Sequence, residues 1–452
     1  MVEMKSIPNR FEAAWLCWAL AGSLVLPASA WANKKPKSEA TAGSGHRIST
    51  QLKGSVPTRD ALRLKLVTEL GNVHVHTQDA NQVDYRVNLE TDSSEPDANE
   101  LLKGFRVTSR VLSDGVLLKG YTSGMQCSGR LWVTFDVSVP RNYNVEISTE
   151  GGNIETDDLN GRATLATAGG NITAGNVGGA GRMDTGGGHI QVKDVGGELT
   201  ASTGGGHITV GRVAGNAVLH TGGGHIRVAS VGGTAKLETA GGNVSLEHAG
   251  SELVAQTGGG QIEVGEASGL VRAHTGGGGI HVVRVSGPTN LETGAGSIYL
   301  TRVDGTVRAS TGAGAITAWF GPDAKLPGAC DLQSSEGDIV VYLPRELPVT
   351  IDALVQLGDE HRVIVDPAFP LKVSYDDRSS GGRMIRAEGP LNGGGEVLRL
   401  RTVAGNIRLI LSDTSKQLQL YKQQMEQLQS QLKLHLHSGE AQAHSPDDDK
   451  RP

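Results

Sequence analysis

The six residues TGGGHI occupy Thr185–Ile190 and return at Thr203–Ile208 and again at Thr221–Ile226, with the same interval between successive copies. With the threonine as position 0, the interval extends in both directions. Thr149, Thr167, Thr185, Thr203, Thr221, Thr239, Thr257, Thr275, Thr293 and Thr311 keep it without a slip, and Ser334 resumes it after a five-residue insertion near GPDAKLPG. Position +5 is aliphatic, as in Ile172, Ile190, Ile208 and Val244, and positions −2, +7 and +10 are mostly Ala, Leu or Val. Alternation with a period of two is the signature of a strand, and a repeat this short leaves no room for a helix. Two short strands joined by two glycine-rich corners make one 18-residue coil of a β-solenoid, with coils stacked about 4.8 Å apart, so nine steps extend about 43 Å. The corner glycines are expected to supply positive φ. The threonine shares parity with the inward residues, so its hydroxyl should meet backbone or the next threonine in the stack. A one-residue slip would turn every side chain to the opposite face, which accounts for the strictness of the spacing.

Composition sets the class. Among 452 residues there are 64 glycines and only 4% aromatics, an all-β repeat balance rather than that of an ordinary globular core. A formal net charge of −6, without a basic patch or tail, argues against nucleic acid as a partner. Residues 1–30 have a polar start with Lys5 and Arg10, an apolar run, and small-residue cleavage sites ending at Ala30 and Ala32. This pattern is expected of a secretory signal peptide. After cleavage no apolar run is long enough to span a bilayer, so the expected location is the periplasm or the cell surface. Cys127 and Cys330 would remain, and whether they pair is open.

The motif also frames the array. TELGNV at Thr68–Val73 and TVAGNI at Thr402–Ile407 repeat its spacing. The expected order is a linker over 31–48, an N-terminal β-cap over 49–148 with a short helix at Glu95–Gly104, and regular coils over 149–343. A β region over 344–411 then closes the solenoid, followed by an amphipathic helix over 412–437 and a polar tail over 438–452. In that helix Leu418, Tyr421, Met425, Leu428 and Leu432 form one stripe. The stripe suits either a cap on the last coil or a short coiled coil that makes a homo-oligomer.

Position +4 carries the histidines His189, His207 and His225, flanked by Asn171 and Asn243. Each precedes an inward isoleucine, so the imidazoles should form an outward ladder. Ligands on one straight outward line do not converge as a tetrahedral metal site requires, and a polar ladder with no metal is expected. Calcium-roll chemistry needs a recurring carboxylate, but the corresponding residues are Gln191, Thr209 and Arg227. At position −1, Asp184, Glu238 and Glu292 stand three coils apart, about 14 Å, too far to act as a carboxylate pair. His220–Glu238 and His274–Glu292 are neighbours across one coil step and read as complementary surface charge. No catalytic or cofactor motif appears.

The stretches VPRNYNVEISTEGGNIE (Val139–Glu155) and GPLNGGGEVLRLRTVAGNIRL (Gly389–Leu409), together with the serial T-x-G-G-x-I coils, resemble the bacterial putative-adhesin family of β-strand-repeat envelope proteins. The resemblance covers about Arg63 to Leu411 and implies neither catalytic residues nor a cofactor. The functional expectation is a non-enzymatic, exported, adhesin-like binding or scaffold protein whose partner is an envelope polymer or protein. The alternative is a carbohydrate-active β-helix enzyme, a lyase or hydrolase, which would need a groove of clustered acids and bases.

Overall fold

The computed structural model describes residues 47–93, 97–123, 130–357, 360–377 and 383–443. These lie in one compact unit, Gly45–Arg451. The expected signal peptide, most of the expected linker, Cys127 and residues 444–452 fall outside the described residues.

Each repeat unit is one coil with two strands, as its periodicity predicts. The residues after the glycines, such as Ile190–Val195 and Ile208–Val213, form the first sheet, and those leading to the threonine, such as Gly181–Thr185 and Leu199–Thr203, form the second. Every step is parallel, and the register holds until Leu300, beyond which the first sheet shifts by one residue so that Val303 pairs with Phe320. Thr167, Thr185, Thr203 and Thr221 pair in series, and so do Ile172, Ile190, Ile208 and Ile226. The aliphatic side chains at −2, +5, +7 and +10 meet between the sheets in one continuous buried core. Because each coil adds the same few side chains to that core, stability accrues by repetition rather than from one large centre.

The threonines are buried and tie the corners together. Thr203 Oγ1 donates to the Gly188 carbonyl of the preceding coil at 2.8 Å and accepts the Gly206 N–H of its own coil at 3.2 Å. Thr167, Thr185, Thr221, Thr239, Thr257, Thr275, Thr293 and Thr311 repeat both bonds. Ser334 donates likewise to Gly314. At the first member, Thr149 donates to Gly71 and Gly151. A buried hydroxyl thus satisfies two backbone groups that the corner would otherwise leave unpaired.

The glycine expectation needs correction. Among the +3 glycines of the array, only Gly152 has a positive φ in the left-handed half, at 126°. The requirement is space instead: a Cβ on Gly206 would lie 1.9 Å from the Gly188 carbonyl oxygen, and Gly224, Gly242 and Gly260 are equally tight. By contrast, Gly187, Gly205 and Gly223 at +2 have nothing within 4 Å. Ala295 and Ala313 occupy that same position in later coils.

Both outlying motifs are coils in their own right. Thr68 pairs with Thr149 and Val73 with Ile154, while Thr402 pairs with Ser334 and Ile407 with Ile339. Beyond them antiparallel strands take over. At the N-terminal end Ile48–Pro57 pairs with Gln82–Thr91, which pairs with Leu131–Pro140. At the other end Val349–Val355 pairs with Arg383–Leu391, which pairs with Lys372–Asp377. A short helix, Asp97–Gly104, buries Ala98, Leu101 and Leu102 at the N-terminal end.

The C-terminal helix, Thr414–Ala443, runs past the boundary expected at 437 and does not cap the last coil. It lies along the outer face of the first sheet, touching six strands from Ile298–Val303 back to Ile208–Val213. Tyr421, Met425 and Leu428 pack there on Val283. Leu418, expected in the same stripe, is 47% exposed, and Gln417 takes the inward place with its amide on the Thr301 carbonyl at 3.0 Å. Cys330 is fully buried, as an inward position implies, and its sulfur accepts the Val307 N–H.

Candidate functional site: the outward rows of the first sheet

In-register stacking converts each outward position into a row. At +4 the three histidines stack with ring centroids 4.9 Å apart and planes within 8° to 11°. They do more than line the surface. His189 Nδ1 accepts the backbone N–H of His207, His207 Nδ1 that of His225, and His225 Nδ1 that of Asn243, at 2.8–2.9 Å. Asn153 and Asn171 do the same with Oδ1 toward the next coil. Asn and His share this position because both offer an acceptor at the right height for the next coil's orphan N–H. The outward direction was legible from parity, but this contact was not, since it depends on the vertical offset between coils. Among the described residues no group of three or more His, Cys, Asp and Glu side chains is arranged to hold a metal.

On the second sheet, His220–Glu238 and His274–Glu292 stand at 3.8 and 3.6 Å, the distances of exposed ion pairs. Such pairs contribute little to stability.

Position +6 of the first sheet, weighed in the sequence at Gln191, Thr209 and Arg227 only for calcium chemistry, forms a longer row. In its N-terminal part the strand pairings align Lys53, Arg86, Asp136, His74 and Glu155. Beside them Ser55, Asp84, Ser138 and His76 form the neighbouring row. Lys53, Arg86 and Asp136 of the first row and all four residues of the second line an open cavity of about 710 Å³. His74 pairs with Asp136 and His76 with Asp157, both at 3.3 Å. Burial pushes the Asp84 carboxyl up, yet hydrogen bonds from Ser55, Gln82 and Gln78 outweigh it and hold the group below the ordinary carboxylate range.

Farther along, the same row reads Arg227, Ser245, Glu263, His281 and Tyr299. Here the C-terminal helix covers it. Burial pushes the Glu263 carboxyl up, opposed by Arg227, and pushes the His281 imidazole down, opposed by a hydrogen bond that the imidazole donates to Gln424. Next to it, position +8 under the helix is small or apolar at Gly211, Ala229, Gly265 and Val283, with Thr301 and the buried Glu247 as its polar members. That departure from a polar outward row is the signal that could have placed the helix.

The arrangement defines a class: a parallel, two-sheet β-solenoid with in-register side-chain rows, capped by antiparallel strands. No family model matches the chain, and no curated protein matches it. Among solved structures, one similar to it is a putative cell adhesion protein from Clostridium sporogenes, at 8% identity and a TM-score of 0.19, covering 81% of this chain and 100% of that one. A putative adhesin from Bacteroides fragilis is similar at 8% identity and a TM-score of 0.21, covering 80% and 97%. A putative adhesin from Parabacteroides distasonis is similar at 12% identity and a TM-score of 0.20, covering 66% and 98%. No helix among the described residues is long and apolar enough to cross a membrane.

Proposed function

We propose that the chain is an exported, adhesin-like binding protein of the cell envelope that does no chemistry and presents its outward rows to an extended polymer. One observation carries this reading: the register of the coils, which sets one outward side chain at every strand spacing over many coils, with identical neighbours in short runs such as His189, His207 and His225. Weak contacts repeated at a fixed interval sum to useful avidity when the ligand repeats as well. The threonine spine supports it, because rows hold their spacing only on a stiff frame. The polysaccharide lyase or hydrolase keeps one observation in its favour, the open cavity of the first sheet in which Lys53, Arg86, Asp84, Asp136 and His76 gather, and the cleavage assay below separates the two readings.

Cell fractionation with surface protease shaving, followed by retention of envelope polysaccharide on the immobilised protein, tests the reading. Recovery in envelope fractions and retention without release of new reducing ends or unsaturated products are expected. Purely cytoplasmic recovery would overturn export, and time-dependent cleavage of the polymer would favour the enzyme.

A further inference from the structure

The +6 row is continuous from the open cavity at Lys53, Arg86 and Asp136 to Tyr299, and from Arg227 to Tyr299 it lies half-buried along the C-terminal helix. Its seat is half polar. Tyr421 hydrogen-bonds Glu266, Thr301 hydrogen-bonds Gln424, and Gln417 donates to the Thr301 carbonyl. The apolar part consists of Tyr421, Met425 and Leu428 on Val283. A contact with so little apolar burial belongs to the low-stability end of a fold, where a segment opens without unfolding the remainder. Beneath it lie Arg227, Glu263 and His281, ionisable groups that the bare sheet would leave in water and that the helix partly dehydrates.

Resting on the binding function proposed above, we infer that the helix is a detachable strap over half of one ligand strip, displaced when an uncharged glycan chain lies along the row. The ligand class follows from the strip. Lys53, Arg86 and Arg227 are balanced by Asp136, Glu155 and Glu263, so neither a polyanion nor a polycation is favoured. The row lies on a sheet face whose backbone groups are engaged in the ladders, which leaves no edge for a peptide strand to join. What remains is recognition by closely spaced side-chain donors and acceptors, which suits hydroxyl-rich sugars. Tyr299 at the covered end, edge-on to His281 with centroids 5.4 Å apart, offers a ring for a sugar face.

The experiment compares the full chain with the full-chain variant Met425→Asp/Leu428→Asp, which unseats the strap and leaves the core untouched. Hydroxyethyl cellulose serves as the neutral probe and alginate as the polyanion. A closed strap lowers apparent affinity by the fraction of molecules that are open. The variant should therefore bind the neutral glycan at least about tenfold more tightly than wild type, and adding Arg227→Ala should abolish the gain. Hydrogen exchange over 414–430 should quicken in wild type when the neutral glycan is added. Equal glycan binding by wild type and variant, with unchanged exchange, overturns the strap while leaving the binding function intact. Stronger binding of alginate than of the neutral probe overturns the ligand class. Unchanged circular dichroism with no binding of either polymer by either protein overturns the strip and the binding function on which it rests.

Discussion

A single methyl group separates the two roles of glycine in the corner. At Gly206 it would meet the carbonyl of the coil below, whereas at Gly205 it would meet nothing. Gly206→Ala should therefore destabilise by about 3 kcal/mol or more, while Gly205→Ala should be neutral or stabilise by up to about 1 kcal/mol through the unfolded chain. Thermal melts of the two variants decide this, and equal effects would mean that the coils do not stack as closely as described. Thr221→Val keeps the shape but leaves the Gly206 carbonyl and the Gly224 N–H without their partner, a loss of about 1–3 kcal/mol. Each histidine Nδ1 accepts the next coil's N–H, so His207→Leu should leave the His225 N–H without that partner and cost about 1 kcal/mol. His207→Asn keeps an acceptor at that height, as Asn171 does for His189, and its thermal melt should lie closer to wild type's than that of His207→Leu. The inward threonine and the outward histidine could both be read from parity. Their hydrogen-bond partners could not, because each partner belongs to the neighbouring coil: Thr203 reaches back to Gly188, and His189 receives the N–H of His207.

At the scale of elements, the strands were legible because a strand's period is also its burial pattern, and Ile190, Val192 and Val195 behave as their spacing requires. The helix was legible in existence but not in place. Amphipathicity names a face without naming what it faces. Both the coiled-coil seam and the end cap called for Leu418 to be buried, yet the seat starts one residue earlier at Gln417 and uses polar contacts that hydrophobic spacing cannot announce. The small residues at +8 hold that information, but they become meaningful only once the two faces of the sheet are assigned. With Tyr421, Met425 and Leu428 on the sheet, the described part of the stripe has no apolar seam left for a second copy. The full chain should therefore be monomeric by light scattering, and Leu428→Ala should loosen the helix while leaving the melting of the coils unchanged. A dimer lost in Leu428→Ala would return this stripe to the coiled-coil role.

For the whole molecule, the consequence of a fixed coil period is that length is adjustable and phase is not. Each coil pairs only with its immediate neighbours, so the energy of the array is close to a sum of coil and interface terms. A tandem duplication of residues 167–184 inserts one complete coil ahead of the strands touched by the helix, leaving that seat and both end caps with the partners they have now. It should fold with proportionally more β signal and a melting temperature within a few degrees of the parent. Duplicating 167–183 instead falls one position short of a coil, and the deficit must be absorbed. If the register holds, one coil has its inward and outward side chains exchanged, with a charged residue such as Asp184 driven toward the core. If the chain bulges instead, a threonine loses its corner and two backbone groups lose their bonds. Either route makes the shorter insertion markedly less stable than the complete coil, although it adds less chain. Equal melting temperatures for the two insertions would show that the array tolerates a change of phase, which the paired rows of both sheets do not allow.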